Sequence, residues 1–145
     1  MTGKKRITMS KRIAVDTNIL LYTHFEEDTT KTNIALDILD LSPMISSQVV
    51  SEYINVLKRQ MKLSKREIIE ICTVNFEACL FHSANFGTLQ KAKELIEKYD
   101  FQIFDSLIVA SALEANCNIL YSEDMQNGLV VEKQLMIINP FVAKA

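Results

Sequence analysis

Residues 104–124 read FDSLIVASALEANCNILYSED. From Ser106 to Ala115 the side chains are apolar or small on nearly every side, through Leu107, Ile108, Val109, Ala110, Ala112 and Leu113. A helix without a polar face has to be buried, so this stretch predicts a helix packed against a sheet. Asp105 sits at its first turn, where the helix dipole favours a carboxylate. Asn118 to Tyr121 then reads as a strand that empties into Ser122, Glu123 and Asp124.

The same alternation extends outward in both directions. Ile13, Ala14 and Val15 form a short apolar run that ends in Asp16, the pattern of a buried strand with a polar turn at its carboxyl end. Ile34, Leu36, Ile38, Leu39 and Leu41 fall at helical spacing, with Thr29 or Thr30 as a cap and Pro43 as a stop. Met44 and Ile45 read as a second strand. Ser46 or Ser47 is a natural cap for the helix that carries Val49, Val50, Tyr53, Ile54, Leu57 and Met61. Ser64 to Glu67 match a capping box ahead of Ile68, Ile69, Ile71 and Val74. Leu80 to His82 reads as a third strand, and Leu89, Ala92, Leu95 and Ile96 mark a helix from about Thr88 to Tyr99. Leu135 to Ile138 is the last strand, before Asn139, Pro140 and Phe141. Strands alternating with helices predict βαβ units, a mainly parallel sheet of about five strands and helices on both of its faces.

The chain has 145 residues, of which 48% are hydrophobic and 23% charged, with only 3 Gly and 2 Pro. That length holds one core of ordinary size and excludes two independent ones. The expectation is one domain over residues 11–145 behind a flexible N-terminal leader over 1–10, with Met9 as an alternative start. No apolar run approaches the roughly 18 residues that a spanning helix needs. Cys72, Cys79 and Cys117 are odd in number and lack paired spacing, which fits small buried hydrophobes in a reducing compartment and a cytoplasmic location. Glycine occurs only at Gly3, Gly87 and Gly128, which excludes a P-loop and a Rossmann glycine fingerprint. His24 and His82 are too few and too isolated for a zinc site.

Acids placed beyond the carboxyl ends of parallel strands are the first candidates for chemistry, because ligands of open α/β sheets bind there. Asp16 and Asp124 qualify by position, Asp105 opens the buried helix, and Glu52 lies about one turn into the helix after the second strand. Four acids from four segments can thus meet at one end of the sheet. Two carboxylates about 4 Å apart repel by roughly 4 kcal/mol at an effective dielectric of 20, so such a cluster needs a counter-charge. A hard divalent cation supplies it, and phosphodiester hydrolysis is the reaction that this combination suits.

Each acid also has a plainer reading. Asp105 and Asp16 can be helix caps, and Asp124 after Glu123 can be turn chemistry. Glu52 falls roughly 130° from the centre of its helix's apolar stripe, the place of a solvated glutamate. The net charge of −2 does not announce a nucleic-acid partner, although setting four acids aside leaves the rest of the chain at +2. Lys58, Arg59, Lys62, Lys65 and Arg66 gather at one helix junction, as a solvated face or as contacts for RNA phosphates. Glu26, Glu27 and Asp28 read as a solvated loop. Phe76, Phe81, Phe86, Phe101 and Phe104 read as core rather than as a base-stacking platform.

Taken together, Ile13-Ala14-Val15-Asp16-Thr17-Asn18, Ser51-Glu52, Phe104-Asp105-Ser106-Leu107-Ile108-Val109-Ala110-Ser111-Ala112, Tyr121-Ser122-Glu123-Asp124-Met125 and the terminal Asn139-Pro140-Phe141 resemble the PIN-domain family. Within it the VapC-like toxins of type II toxin–antitoxin systems are similar over about Ile13 to Phe141. The resemblance implies a PIN-like three-layer sandwich with a five-stranded parallel sheet, and an acidic site of Asp16, Glu52, Asp105 and Asp124. Asp16 and Asp105 match the core metal ligands, Asp124 a second-site or water-mediated ligand, and Glu52 a further ligand or water-orienting group. Asn18 and Ser122 match positions that support the acids by hydrogen bonding. It further implies Mg²⁺- or Mn²⁺-dependent endoribonuclease action on RNA, a cognate antitoxin and a homodimer, with no membrane partner. Ser106 stands where the toxins often carry Ala, and Glu123 competes with Asp124 for the fourth acidic position. Two other readings are a catalytically silent PIN-fold module that binds a protein partner, and a phosphatase with an aspartyl nucleophile at Asp16. The second is weakened by Asn18, where a second acid is usual.

Overall fold

The computed structural model of the chain describes residues 11–24 and 28–142. The leader expected over 1–10, and Glu26 and Glu27 of the expected solvated loop, lie outside the described residues. The elements in chain order are β1 (Ile13–Val15), α1 (Thr17–Leu21), α2 (Thr29–Leu39), β2 (Met44–Ser46), α3 (Ser47–Val56) with a π-helical turn (Leu57–Met61), α4 (Lys65–Asn75) and β3 (Leu80–His82). They continue with α5 (Phe86–Tyr99), α6 (Ile103–Glu114), β4 (Ile119–Tyr121), β5 (Val130–Val131) and β6 (Leu135–Ile138). Among the described residues no helix is long and apolar enough to cross a membrane.

One sheet holds six strands in the order β3-β2-β1-β4-β6-β5. All neighbours pair in parallel except β5, which runs antiparallel to β6. The expected parallel five are therefore present, and the sixth is a two-residue strand too short to leave a periodic signal. Successive strand residues point to opposite faces. Ala14 and Val15 of β1 are both buried, as are all three residues of β2, so both faces of the sheet centre are covered. The edge strand β3 is mostly exposed.

The helix caps follow local hydrogen-bonding chemistry. Ser46 caps α3 by accepting from the Val49 amide at 3.2 Å, and Ser64 with Glu67 completes a capping box on α4. The cap of α2 is Asp28 rather than Thr29 or Thr30: its carboxylate accepts from the Lys31 amide, at 3.2 Å. On α3 the positions Val49 and Tyr53, followed by Leu57 in the π-helical turn, are spaced four apart and fully buried, making the helix's inward face. In α6, Ser106 and every residue from Ile108 to Leu113 are buried, as its composition requires.

Three of the five phenylalanines expected in the core are outside it. Phe76 is buried, whereas Phe81, Phe86 and Phe104 are 57%, 72% and 56% exposed. Phe81 lies on the edge strand, and Phe86 and Phe104 take outward positions in the first turns of α5 and α6, whose inward residues Thr88 and Ser106 are fully buried.

Candidate active site

The strand order fixes where a site can form. From β1 the chain steps to β2 and β3 on one side, then returns to place β4 on the other. The reversal opens a crevice at the carboxyl ends of β1 and β4, the topological switch point at which open α/β sheets bind ligands. Asp16 directly follows β1, and Ser122 to Asp124 follow β4. The amide of Asp16 donates to the Tyr121 carbonyl at 2.9 Å, and this bond holds the two strand ends together.

A cleft of about 330 Å³ lies at this point, and Asp16, Glu52, Asp105 and Asp124 all line it, together with Thr17, Asn18, Leu21, Asn55, Val56 and Arg59. The four acids come from the β1–α1 junction, α3, the first turn of α6 and the segment after β4. A larger groove of about 800 Å³, lined by Ile34, Ile38, Leu41, Ile138 and Pro140 among others, carries a single acid, Asp37. Its chemistry is that of an apolar surface, so the smaller cleft is where a reaction can be run.

Neutral donors hold three of the acids. Asp16 caps α1 by accepting from the Thr17 amide at 2.7 Å through Oδ1, and accepts from Ser122 Oγ at 2.8 Å through Oδ2. Ser122 is itself fully buried and fixed, since its Oγ also accepts from the Met125 amide at 3.2 Å. Glu52 accepts from Thr17 Oγ1 at 2.6 Å and from Gln48 Nε2 at 2.9 Å. Asp124 accepts from Asn18 Nδ2 at 2.8 Å. Asp105 differs: it is in the first turn of α6 without being its cap, and among the described residues no hydrogen bond reaches its carboxylate.

The electrostatics are those of uncompensated negative charge. Burial pushes Asp16 up to about 6, the Ser122 and Thr17 hydrogen bonds oppose the shift, and the charges of Asp105 and Glu52 add to it. Burial also raises Asp105, followed by the charges of Asp124 and Glu52. Removing the Ser122 donor should therefore move Asp16 further up. We expect Ser122→Ala to raise the Asp16 midpoint above that of the parent in a carboxyl-carbon NMR titration of the metal-free protein, and to cost about 1–3 kcal/mol of stability at neutral pH. An unmoved or lowered midpoint contradicts this geometry.

The plainer readings of the acids separate here. Asp16 is both a helix cap and a cleft residue. Asp105 is not a cap, and Glu52 is half-buried in the cleft rather than solvated. Glu123 and Asp124 have different surroundings: Glu123 accepts from Tyr22 OH at 2.7 Å and pairs with Lys31 at 2.5 Å, while Asp124 lines the cleft. Burial raises Glu123, but the Lys31 and Tyr22 hydrogen bonds outweigh it and hold this carboxyl below its ordinary value. Asn18 hydrogen-bonds Asp124, and Ser122 hydrogen-bonds Asp16. Thr17, Gln48 and Asn55 were not read as part of a site, and Arg59 only as one of five basic residues that form a solvated face or contact RNA phosphates. Asn55, Val56 and Arg59 follow Glu52 by three, four and seven residues, the spacing of one helix face, and that signal was available in the sequence. His24 hydrogen-bonds Tyr53, and His82 pairs with Glu114 at 3.0 Å, both away from the cleft.

The donors suit a hard divalent cation in kind: all are carboxylate oxygens, and among the described residues one acid is free of other bonds and Arg59 is the single basic side chain of the lining. In spacing the site is open. Among the described residues no group of three or more His, Cys, Asp or Glu side chains stands in a geometry that can hold a metal ion. Mutual repulsion favours such separation, since each carboxylate gains from a neutral donor and loses from a like-charged neighbour.

An acidic crevice at the switch point of a parallel sheet places the chain in a defined class. It belongs to the PIN-domain family, whose family model matches residues 13–126 and so includes all four acids. Solved structures agree on the fold. A toxin–antitoxin complex from Klebsiella pneumoniae aligns with a TM-score of 0.65 at 15% identity, covering 90% of this chain and 98% of that one. VapBC2 from Rickettsia felis, bound to a DNA fragment from its promoter, gives 0.63 at 18% identity over 88% and 98%. Mycobacterium tuberculosis VapC20, a toxin that cleaves the sarcin–ricin loop, gives 0.60 at 18% over 77% and 89%. No curated protein sequence matches the chain.

Proposed function

We propose that the protein is a Mg²⁺- or Mn²⁺-dependent endoribonuclease of the VapC type, the toxin of a toxin–antitoxin pair. The observation that carries this reading is the convergence of Asp16, Glu52, Asp105 and Asp124 on one cleft of a PIN-domain chain. Bound there, a divalent cation would activate water and offset charge on a phosphodiester. Asp16 and Asp105 are the proposed core ligands, Asp124 a second-site or water-mediated ligand, and Glu52 a further ligand or a group that orients water. Ser122 and Thr17 keep Asp16 aimed into the cleft, and Asn18 does the same for Asp124. The domain is taken to run over residues 11–145, in the cytoplasm.

A cognate antitoxin and a homodimer belong to the same reading. Exposed Phe81, Phe86 and Phe104, with Leu89 and Ile103, support a protein partner, because apolar surface of this kind is covered in an assembly. The same exposure favours the second reading, a catalytically silent PIN-fold module that acts through its partner alone. Incubation of the purified protein with single-stranded and structured RNA separates the two. Cleavage that needs Mg²⁺ or Mn²⁺, stops with EDTA and is lost in Asp16→Asn is expected. Cleavage that persists in Asp16→Asn contradicts the site, and metal binding that is absent altogether favours the silent module.

A further inference from the structure

Among the described residues one basic side chain lines the cleft, and no acid pairs with it. Arg59 lines the same cavity as four carboxylates, yet among the described residues it makes no ion pair and no hydrogen bond. Charge-assisted bidentate pairing with a carboxylate is among the strongest side-chain contacts, and Arg59, which is exposed at the cleft, makes none among the described residues. Here the acids are held by neutral donors instead: Thr17 and Ser122 on Asp16, Thr17 and Gln48 on Glu52, Asn18 on Asp124. The backbone adds a second observation. Arg59 is at the middle of the π-helical turn Leu57–Met61, which ends at Lys62 in the left-handed conformation with φ 53°. Turns of this kind are uncommon, and they occur frequently at functional sites because they re-aim the side chains they carry.

We propose that Arg59 is the phosphate-contacting residue of the cleft, its guanidinium left free to grip a backbone phosphate of the nucleic-acid strand that enters beside the acids. The assignment rests on the nuclease reading above and deepens it. A cleft lined by four acids repels a phosphodiester until its charge is offset, and Arg59 supplies a planar fork of donors that matches two phosphate oxygens. Arg59 acts on substrate, not on the acids, so its removal should weaken RNA engagement while leaving cation binding alone.

The test compares the parent with Arg59→Gln and Arg59→Lys, using a labelled single-stranded RNA oligonucleotide in Mn²⁺. For Arg59→Gln we expect kcat/KM to fall by about 10- to 100-fold. The slope of log KM against log salt should shrink by about 1, the mark of one lost phosphate contact. Arg59→Lys should restore the salt slope but only part of the rate, since a point charge cannot make the bidentate contact. Mn²⁺ affinity measured by calorimetry should stay the same or rise in Arg59→Gln, because a positive charge has left the acidic cleft. Parent-like cleavage and salt slope in Arg59→Gln overturn the assignment while the nuclease reading stands. Weakened Mn²⁺ affinity overturns it too, by showing that Arg59 organises the acids. A parent protein that neither binds nor cuts RNA overturns the nuclease reading itself, and this assignment with it.

Discussion

Asp105→Asn is expected to separate stability from activity: the metal-free variant should be at least as stable as the parent, and its RNA cleavage should fall by about 1000-fold. Asp105 has no hydrogen-bond donor to lose among the described residues, and its carboxyl is raised by burial and by Asp124 and Glu52. An amide of the same shape removes that repulsion. The group is half-exposed and solvent screens it, so the gain is at most about 1 kcal/mol. Activity should respond in the opposite sense. A metal ion stabilises transition-state charge by several kcal/mol, and each increment of about 1.4 kcal/mol is tenfold in rate. A ligand missing from the core of the site forfeits most of that. Thermal melts of both proteins with and without Mn²⁺ read the stability arm: at 100 times its dissociation constant the ion should stabilise the parent by about 2.7 kcal/mol, and the variant by little or nothing. A variant that melts well below the parent without metal, or gains as much from Mn²⁺, contradicts the role given to Asp105.

Acid should stabilise the metal-free protein, against the usual trend. Asp16 is buried and raised to about 6 in the folded state, whereas an unfolded aspartate titrates near 3.8. Between these values the folded chain binds more protons than the unfolded one, so the contribution to stability is complete below the unfolded value and is lost as pH rises through about 6. The full amplitude is about 3 kcal/mol, with Asp105 shifted in the same direction. Urea unfolding in EDTA at a series of pH values should give a midpoint that climbs from pH 7.5 toward pH 5. Added Mn²⁺ should flatten or invert this dependence, because the ion favours the deprotonated acids. A metal-free midpoint that falls steadily over that interval shows that Asp16 is not destabilised by its burial.

How far the sequence carries depends on what each element answers to. Strands β3 and β6 were legible residue by residue, and the buried helix α6 was legible in kind, although it begins at Ile103, three residues before the apolar run read from Ser106. The capping box at Ser64 was legible because its hydrogen bonds are local. The strand β5 is set by pairing with β6 alone, and two residues carry no period. Asp28 displaced Thr29 and Thr30 as the cap of α2, a choice between neighbours that composition does not settle. The outward phenylalanines defeated a rule that counts side-chain type and ignores position, since β3 proved to be an edge and Phe86 and Phe104 take the outward positions of the first turns of α5 and α6.

The candidate site was legible through the places where strands end. Asp16 and Asp124 follow apolar runs directly, which tied them to the carboxyl edge of the sheet. Glu52 was obscured because its angle on α3 points away from the apolar stripe, and the stripe faces the sheet while the cleft lies beside it. Arg59 was obscured by its neighbours Lys58 and Lys62, which make the segment look like a solvated basic face. Nothing in the sequence distinguished Glu123 from Asp124. Tyr22 and Lys31, about one hundred residues away in the chain, draw the first out of the cleft and leave the second in it.

Calorimetric titration of Mn²⁺ into the parent and into Asp16→Asn, Glu52→Gln, Asp105→Asn and Asp124→Asn tests most directly whether these four acids form one cation site. The account predicts saturable binding by the parent, weakened in every variant and most in Asp16→Asn and Asp105→Asn. Binding that is absent from the parent, or unchanged by the loss of Asp16 and Asp105, contradicts it.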